Sequence, residues 1–332
     1  MIARLLGGLG HFGVPLALVM PDATGISALL LRAGAARTAA SPPWPQVAFL
    51  EMPVTETADD TRRAVGLMRD AGVALIAVLG GDGTHRIVAD ACGDVPLLTL
   101  STGTNNAFPE MREATVAGLA GGLVASGAVP RAVALRRNKV LRVRALHAQD
   151  RRAELALVDV CVARTPYVGS RALWDAGELT ELFVAFAEED AIGLSSIASR
   201  LSPVTRDEPH GLHVRFGDAR AATAAPQALL HAPLAPGVVG AVVVESAERL
   251  RAGAPVTIAA TRGTIALDGE REIEIGSRDA FAVELDLAGP FTVDVRRTLR
   301  YAAGERIFTS TDIWGLPQSR IMTTSLRARE ST

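Results

Sequence analysis

Lysine is nearly absent from this chain: Lys139 is the only one, and the other basic residues among its 34 are arginines. A G-x-x-x-x-G-K-[ST] phosphate loop is therefore missing, which excludes the commonest lysine-dependent way of gripping ATP. Cysteine is scarce too. Cys92 and Cys161 lie far apart in apolar surroundings, so they read as buried free thiols in a reducing compartment, not as a disulfide or metal framework. The six histidines show no metal-ligand spacing, and His210 and His213 lack a partner pair and read as flanks of a strand start. There is no basic block, and the formal charge is −2, which argues against nucleic acid as a partner. No apolar run approaches the roughly 20 residues needed to cross a bilayer, so no membrane association is expected. The apolar first twenty residues are broken by Gly7, Gly8, Gly10, His11 and Gly13, which does not suit a signal peptide; a cytoplasmic location is the expectation.

At 332 residues the chain can form two domains with full cores. Its most informative stretch is Val73-Ala74-Leu75-Ile76-Ala77-Val78-Leu79-Gly80-Gly81-Asp82-Gly83-Thr84. A short apolar run ending in glycine predicts a strand buried on both faces of a parallel sheet. Gly80, Gly81 and Gly83 let the backbone turn and approach a ligand closely, and a helix predicted from His85 would add its N-terminal partial charge at the same place. That combination suits a phosphate. Asp82 would repel a phosphate unless a cation lay between them, which points to Mg²⁺. The competing reading is a glycine turn in which Asp82 merely caps the helix.

Strand and helix signals alternate through the first third. Residues 14–20, 46–52, 73–79 and 96–100 read as strands, and 26–33, 57–70 and 113–126 as helices, which predicts right-handed βαβ units on a parallel sheet. The loops 80–84 and 101–106 both follow strand ends and should face one crevice. Beyond Val129 and Pro130, residues 132–147 and 154–163 read as antiparallel strands. Residues 174–189 and 192–201 read as helices with apolar stripes. From Gly211 to Val295 the density of short strands predicts a sandwich or barrel, and the polar tail after Gly304 reads as an extension. Within this region Asp268-Gly269 is a hairpin-turn signal, whereas Glu270, held just after a tight turn, is placed like a general base or metal-coordinating partner. Lys139, in Arg136-Arg137-Asn138-Lys139, reads as a solvated strand edge.

Three landmarks in order, Gly80-Gly81-Asp82-Gly83-Thr84, Thr102-Gly103-Thr104-Asn105 and Leu267-Asp268-Gly269-Glu270, resemble those of the NAD kinase and diacylglycerol kinase superfamily. Residues 79–86, 96–109, 136–140 and 266–273 together resemble more closely the acetoin catabolism protein X family of ATP-NAD kinase-like proteins. The resemblance runs roughly from residue 21 to 295. It implies an α/β fold: a Rossmann-like nucleotide-binding domain over residues 1–130, a β-rich acceptor-binding sandwich domain over 131–300, and an extension over 301–332. It further implies ATP and Mg²⁺ as cofactors and a homodimer. Gly80, Gly81, Gly83 and Thr84 would hold phosphates, with Asp82 as catalytic and metal residue. Thr102, Gly103, Thr104 and Asn105 would line the other side of the cleft, and Glu270 would act as base or order the metal.

The chain also departs from that pattern. The superfamily's first strand and Asn-Pro loop have no counterpart, and residues 1–10 match the helix that would follow them. The Asn-Glu pair that grips the dinucleotide in NAD kinases is absent from Ala156-Leu157-Val158-Asp159-Val160, and the glycine- and threonine-rich segment that holds NAD is missing. His85-Arg86 replaces the usual residues after the glycine loop, with Arg86 either charge for a phosphate or a solvated helix residue. The expectation is Mg²⁺-ATP-dependent phosphorylation of a small hydroxyl-bearing acceptor, NAD or another metabolite. The alternatives are a non-catalytic nucleotide-binding accessory protein and, third, a diacylglycerol-type lipid kinase.

Overall fold

In the computed structural model, which describes residues 1–38, 41–103, 106–147, 153–165, 176–217, 228–269 and 271–309, strand and helix alternate through the first third. Helix α1 (Ile2–His11) leads to β1 (Leu16–Val19), α2 (Ile26–Ala35), β2 (Gln46–Phe49), α3 (Ala58–Asp70), β3 (Ile76–Gly80), α4 (Asp82–Ala91), β4 (Leu97–Ser101) and α5 (Ala114–Ala125). Local chemistry sets two of these starts: the Thr57 hydroxyl accepts from the Asp59 N–H at α3, and the Glu113 carboxylate accepts from Thr115 and Val116 at α5. β1 and β2 pair in parallel, as do β3 and β4, with Gly80 opposite Ser101. α1 and α5 touch backbone to backbone, because a Cβ on Gly8 would lie 2.6 Å from the Gly118 carbonyl carbon.

The remainder runs α6 (Arg131–Ala134), β5 (Leu135–Arg137), β6 (Val140–Ala145), β7 (Glu154–Ala156), β8 (Asp159–Ala163), β9 (Leu179–Val184), α7 (Ser195–Leu201), β10 (His210–Phe216), β11 (Ala228–Ala235), β12 (Val238–Arg251), β13 (Val256–Thr257), β14 (Gly263–Leu267), β15 (Arg271–Ile275), β16 (Phe281–Asp286), β17 (Phe291–Val293) and α8 (Val295–Gly304). Among the described residues, an antiparallel sheet of order β11-β12-β10-β9-β8-β14-β15 faces a second of order β13-β16-β6-β7. Leu141, Val143, Val283 and Leu285 of the smaller sheet meet Val160, Val162, Phe183 and Ile265 of the larger one in a shared core. This is the expected sandwich.

The structure corrects several expectations. The segment predicted as a helix over 174–189 contains β9, a strand flanked by β8 and β10; residues 166–175 lie outside the described residues. Its apolar residues imitate helical spacing because a strand buried on both faces has no alternation to display. Strand β17, expected in the β-rich domain, pairs with β4 and β5, and α8 packs on α5 beyond it. Fully buried Leu97, Leu98 and Leu100 make β4 an interior strand, so it needs a neighbour on its second edge, and the chain returns to supply one. Lys139 is not a solvated edge. It is 3% exposed, and its Nζ donates to the carbonyls of Glu208 (2.7 Å) and His210 (2.5 Å); burial pulls its pKa down to about 8.

His213, too, lies inside β10 and not at its start. It is buried, stacked on Phe183 with centroids 4.1 Å apart, and its Nε2 is 2.9 Å from Glu181 Oε2. Cys92 and Cys161 are both buried and unpaired, as expected, and burial raises both thiols, Cys92 to about 11. Among the described residues no helix is long and apolar enough to cross a membrane.

The chain crosses between the two parts twice, outward at Asn138 and back at Gly289 and Pro290. Asn138 locks the crossing: its N–H and its Nδ2 both donate to the Pro290 carbonyl, at 3.0 and 2.9 Å, and its own carbonyl accepts from Gly289. A Cβ on Gly289 would lie 2.6 Å from both the Asn138 carbonyl oxygen and Val140 Cγ1. Gly289→Ala is therefore expected to lower stability by about 1–3 kcal/mol through overpacking, measured as the urea midpoint. In Gly66→Ala on α3 the added Cβ meets nothing, and stability should rise by up to about 1 kcal/mol.

Candidate functional site

Gly80 ends β3, and Gly81 follows in extended backbone, φ −90° and ψ −175°, as the N-cap of α4. The helix begins at Asp82, three residues earlier than predicted, so Asp82, Gly83 and Thr84 form its first turn. Neither Gly80 nor Gly81 has a positive φ. Contact, not handedness, demands glycine here: a Cβ on Gly80 would lie 2.7 Å from Thr84 Cβ, and one on Gly81 3.0 Å from Asn106 Oδ1. The first N–H groups of an α-helix have no intrahelical acceptor, and the N-cap residue here, Gly81, has no side chain to cap them. The arrangement presents donors and a positive dipole end, as a phosphate site requires.

Because Gly80 stands opposite Ser101 in the β3–β4 ladder, the two predicted loops emerge side by side. Thr102 and Gly103 lie exposed at the rim. The Thr102 N–H donates to the Gly80 carbonyl at 3.3 Å, tying the second loop to the first, and within the second loop the Asn106 amide donates to Ser101 Oγ at 2.8 Å. Thr104, Asn105 and Glu270, three of the predicted site residues, lie outside the described residues.

Asp82 is gripped from the far side of this loop. Its Oδ2 accepts from the Ala107 N–H at 2.9 Å and its Oδ1 from the Phe108 N–H at 2.8 Å. His85 secures the same turn from beneath. It is fully buried, and its Nδ1 lies 2.8 Å from the Gly81 carbonyl, which can only accept, so the proton is on Nδ1. Desolvation lowers its pKa, so the ring is a neutral support for the loop. Arg86 is part-buried, with its Nε enclosed.

From the β-rich part comes the Asp268-Gly269 turn between β14 and β15, with φ of +50° and +71°, the two left-handed residues that an Asp-Gly hairpin predicts. The Asp268 carboxylate does more than turn the chain. It accepts from the N–H groups of Leu157 (2.9 Å), Val158 (2.8 Å) and Asp159 (3.2 Å), filling the break between β7 and β8. Burial pushes Asp268 up to about 7 against the pull of those amides, and the nearby Asp82 charge adds to the rise. Asp159 is 8% exposed with Oδ1 lacking a partner; burial raises its pKa well above the usual range, reinforced by Asp268 and Asp82. The fold thus assembles Asp82, Asp159 and Asp268 from three distant stretches. Sequence reading passed over Asp159, although an acid inside the apolar run Leu157-Val158-Asp159-Val160-Cys161 is a usable signal.

Residues 18–128 match the family model of the ATP-NAD kinase N-terminal domain, and residues 139–288 that of the acetoin catabolism protein X C-terminal domain. Acetoin catabolism protein X of Cupriavidus necator is 44% identical over 311 residues, covering 93% of this chain and 86% of the relative. The chain belongs to the acetoin catabolism protein X family. Between the two matched segments lie α6 and β5, where the backbone approaches the Asn138 crossing. Among solved structures, yeast NADH kinase complexed with NADH is similar with a TM-score of 0.49 and 15% identity, over 93% of this chain and 84% of that one. An NAD kinase from Archaeoglobus fulgidus in complex with ATP is similar with a TM-score of 0.40 and 12% identity, over 89% and 100%.

An acid whose folded-state pKa lies above its unfolded value keeps a proton that the unfolded chain has released, so the native state loses relative stability as pH rises through that window. For Asp159 and Asp268 the loss starts near the ordinary aspartate value of 3.8, and for Asp268 it is complete above about 7. Asp159→Asn removes one of these titrations. Its urea midpoint should gain on that of the parent chain between pH 4.5 and 7.5; a constant difference would show that Asp159 titrates normally.

Proposed function

We propose that this protein binds Mg²⁺-ATP in the crevice between loops 80–84 and 101–106 and the Asp268 turn, and transfers the γ-phosphoryl group to a hydroxyl of a small acceptor. The observation that carries this reading is the N-terminus of α4, with glycine at its N-cap, placed in register with the Ser101 loop and next to a carboxylate. Phosphoryl transfer asks a protein chiefly for positioning and charge neutralisation, and these parts supply both. The match of residues 18–128 to the ATP-NAD kinase N-terminal domain supports ATP as donor, and the family supports a role in acetoin catabolism. NAD or another metabolite is the acceptor.

Gly80, Gly81, Gly83 and Thr84 would receive the phosphates, with Thr102, Gly103, Thr104 and Asn105 across the crevice. Among the described residues no group of three or more His, Cys, Asp or Glu side chains could hold a metal ion. A hard carboxylate beside phosphate donors nonetheless fits Mg²⁺, which commonly takes one or two carboxylates and completes its shell with water and phosphate oxygens. Asp82 would hold it, and the ion would neutralise charge on the phosphates. Asp268 anchors the turn that carries Glu270, the residue assigned to take the acceptor's hydroxyl proton. As that oxygen bonds to the γ-phosphorus, the bond to the β–γ bridging oxygen breaks and ADP leaves.

A second reading, nucleotide binding without turnover, is favoured by one observation: two amides already occupy both oxygens of the Asp82 carboxylate, leaving it fewer lone pairs for the ion that transfer requires. Isothermal titration separates the readings from a structural glycine turn. The parent chain should bind ATP in a Mg²⁺-dependent way and Asp82→Asn should bind it at least about tenfold more weakly, the scale of a lost charged contact. ATP turnover stimulated by an acceptor and lost in Asp82→Asn supports transfer; binding with no turnover on any acceptor supports the accessory reading. Unchanged binding by Asp82→Asn would remove Asp82 from the site.

A further inference from the structure

We infer that Arg206, in the β-rich part and far from every motif, is a positioning residue for Asp82, acting through the peptide units of Ala107 and Phe108. Its effect on nucleotide binding rests on the reading of the Asp82 site above, but its effect on Asp82 does not.

Arg206 Nη2 donates to the carbonyl of Ala107 at 2.7 Å and to that of Phe108 at 3.0 Å. The N–H groups of the same two residues hold the two oxygens of Asp82. One peptide unit, the C=O of Ala107 with the N–H of Phe108, therefore stands directly between a guanidinium and a carboxylate. Each charge polarises it in the sense that strengthens the hydrogen bond to the other. The side chain of Arg206 is 8% exposed, and its guanidinium lies 4.0 Å from the Phe186 ring centroid and 5.4 Å from that of Phe108, with Glu188 at 3.4 Å. Burying a guanidinium costs several kcal/mol unless its donors are used. Here they are used on the backbone that orients Asp82.

The segment bearing Arg206 is itself held across the junction. Arg136 of β5 pairs with Asp207 at 3.3 Å, and Lys139 at the crossing binds the carbonyls of Glu208 and His210. Asp82 belongs to the α/β part and Arg206 to the β-rich part, so the carboxylate is oriented correctly only while the two parts are seated together. A shift of the 206–210 segment would pull the Ala107 and Phe108 carbonyls, and with them the amides on Asp82.

Hydrogen exchange on the full chain tests the linkage without any nucleotide. In Arg206→Met the Ala107 and Phe108 amides should exchange at least about tenfold faster, as should those in Asp82→Asn, and the double variant should be no faster than the faster single one, as expected for one shared chain of bonds. Arg206→Lys, which keeps the charge and a donor on a stem one bond shorter, should restore part of the protection and guards against a folding defect in the methionine variant. Exchange unchanged in Arg206→Met, or effects of the two single changes that multiply in the double variant, would overturn the inference. Titration with ATP then separates this inference from the functional reading. Arg206→Met should weaken Mg²⁺-ATP binding by about tenfold, the loss of one charge-assisted bond, and leave Mg²⁺-free ATP binding unchanged. Coupled exchange in a parent chain that binds no ATP would refute the nucleotide site while sustaining the positioning role.

Discussion

The carboxylate of Asp82 lies at the N-terminus of α4 and accepts two backbone N–H groups from residues 107 and 108. An acid in the first turn of a helix is favoured by the dipole there, and two amide donors fix its direction. Much of the surrounding structure serves that arrangement. His85 props the Gly81 carbonyl, Asn106 fills the space that the missing side chain of Gly81 leaves, and the β3–β4 register sets the second loop beside the first.

Two polar contacts at the junction make the halves interdependent. Asn138 closes the double crossing with main-chain and side-chain bonds to residues 289 and 290, and Lys139 ties the crossing to the 208–210 backbone. A buried lysine would be costly in apolar surroundings, but two carbonyls accept from it; burial still pulls its pKa down to about 8, against the charges of Glu208 and Asp207. Opposite the glycine loop, the carboxylate of Asp268 occupies the gap between β7 and β8, so the turn that carries the predicted Glu270 is bolted to the sheet by three amides.

The α/β order of the first third was legible because each strand there is a short apolar run and each helix has a cap or an amphipathic face. The sandwich was legible from the density of turns and short strands. β9 was not, since a strand buried on both faces shows the same apolar crowding as a helix. The return of β17 to the first sheet was equally hidden, because the three residues Phe291-Thr292-Val293 say nothing about which sheet has an open edge. Within the site, Gly80 to Thr84 and Thr102-Gly103 were found by motif. Asp159 was passed over, and Arg206 carries no local signal of any kind.

By itself the sequence determined where glycines let the backbone turn sharply at a strand end and where a carboxylate stands beside them, since glycine spacing and strand ends are local properties. It determined too that Asp268 and Gly269 make a left-handed turn. Only the tertiary structure decided what Asp82 is held by and that Asp159 and Asp268 share its field. The physical reason is distance along the chain: hydrogen bonds from residues 107 and 108, and a guanidinium at 206 behind them, exist only once two separately patterned parts have closed on each other.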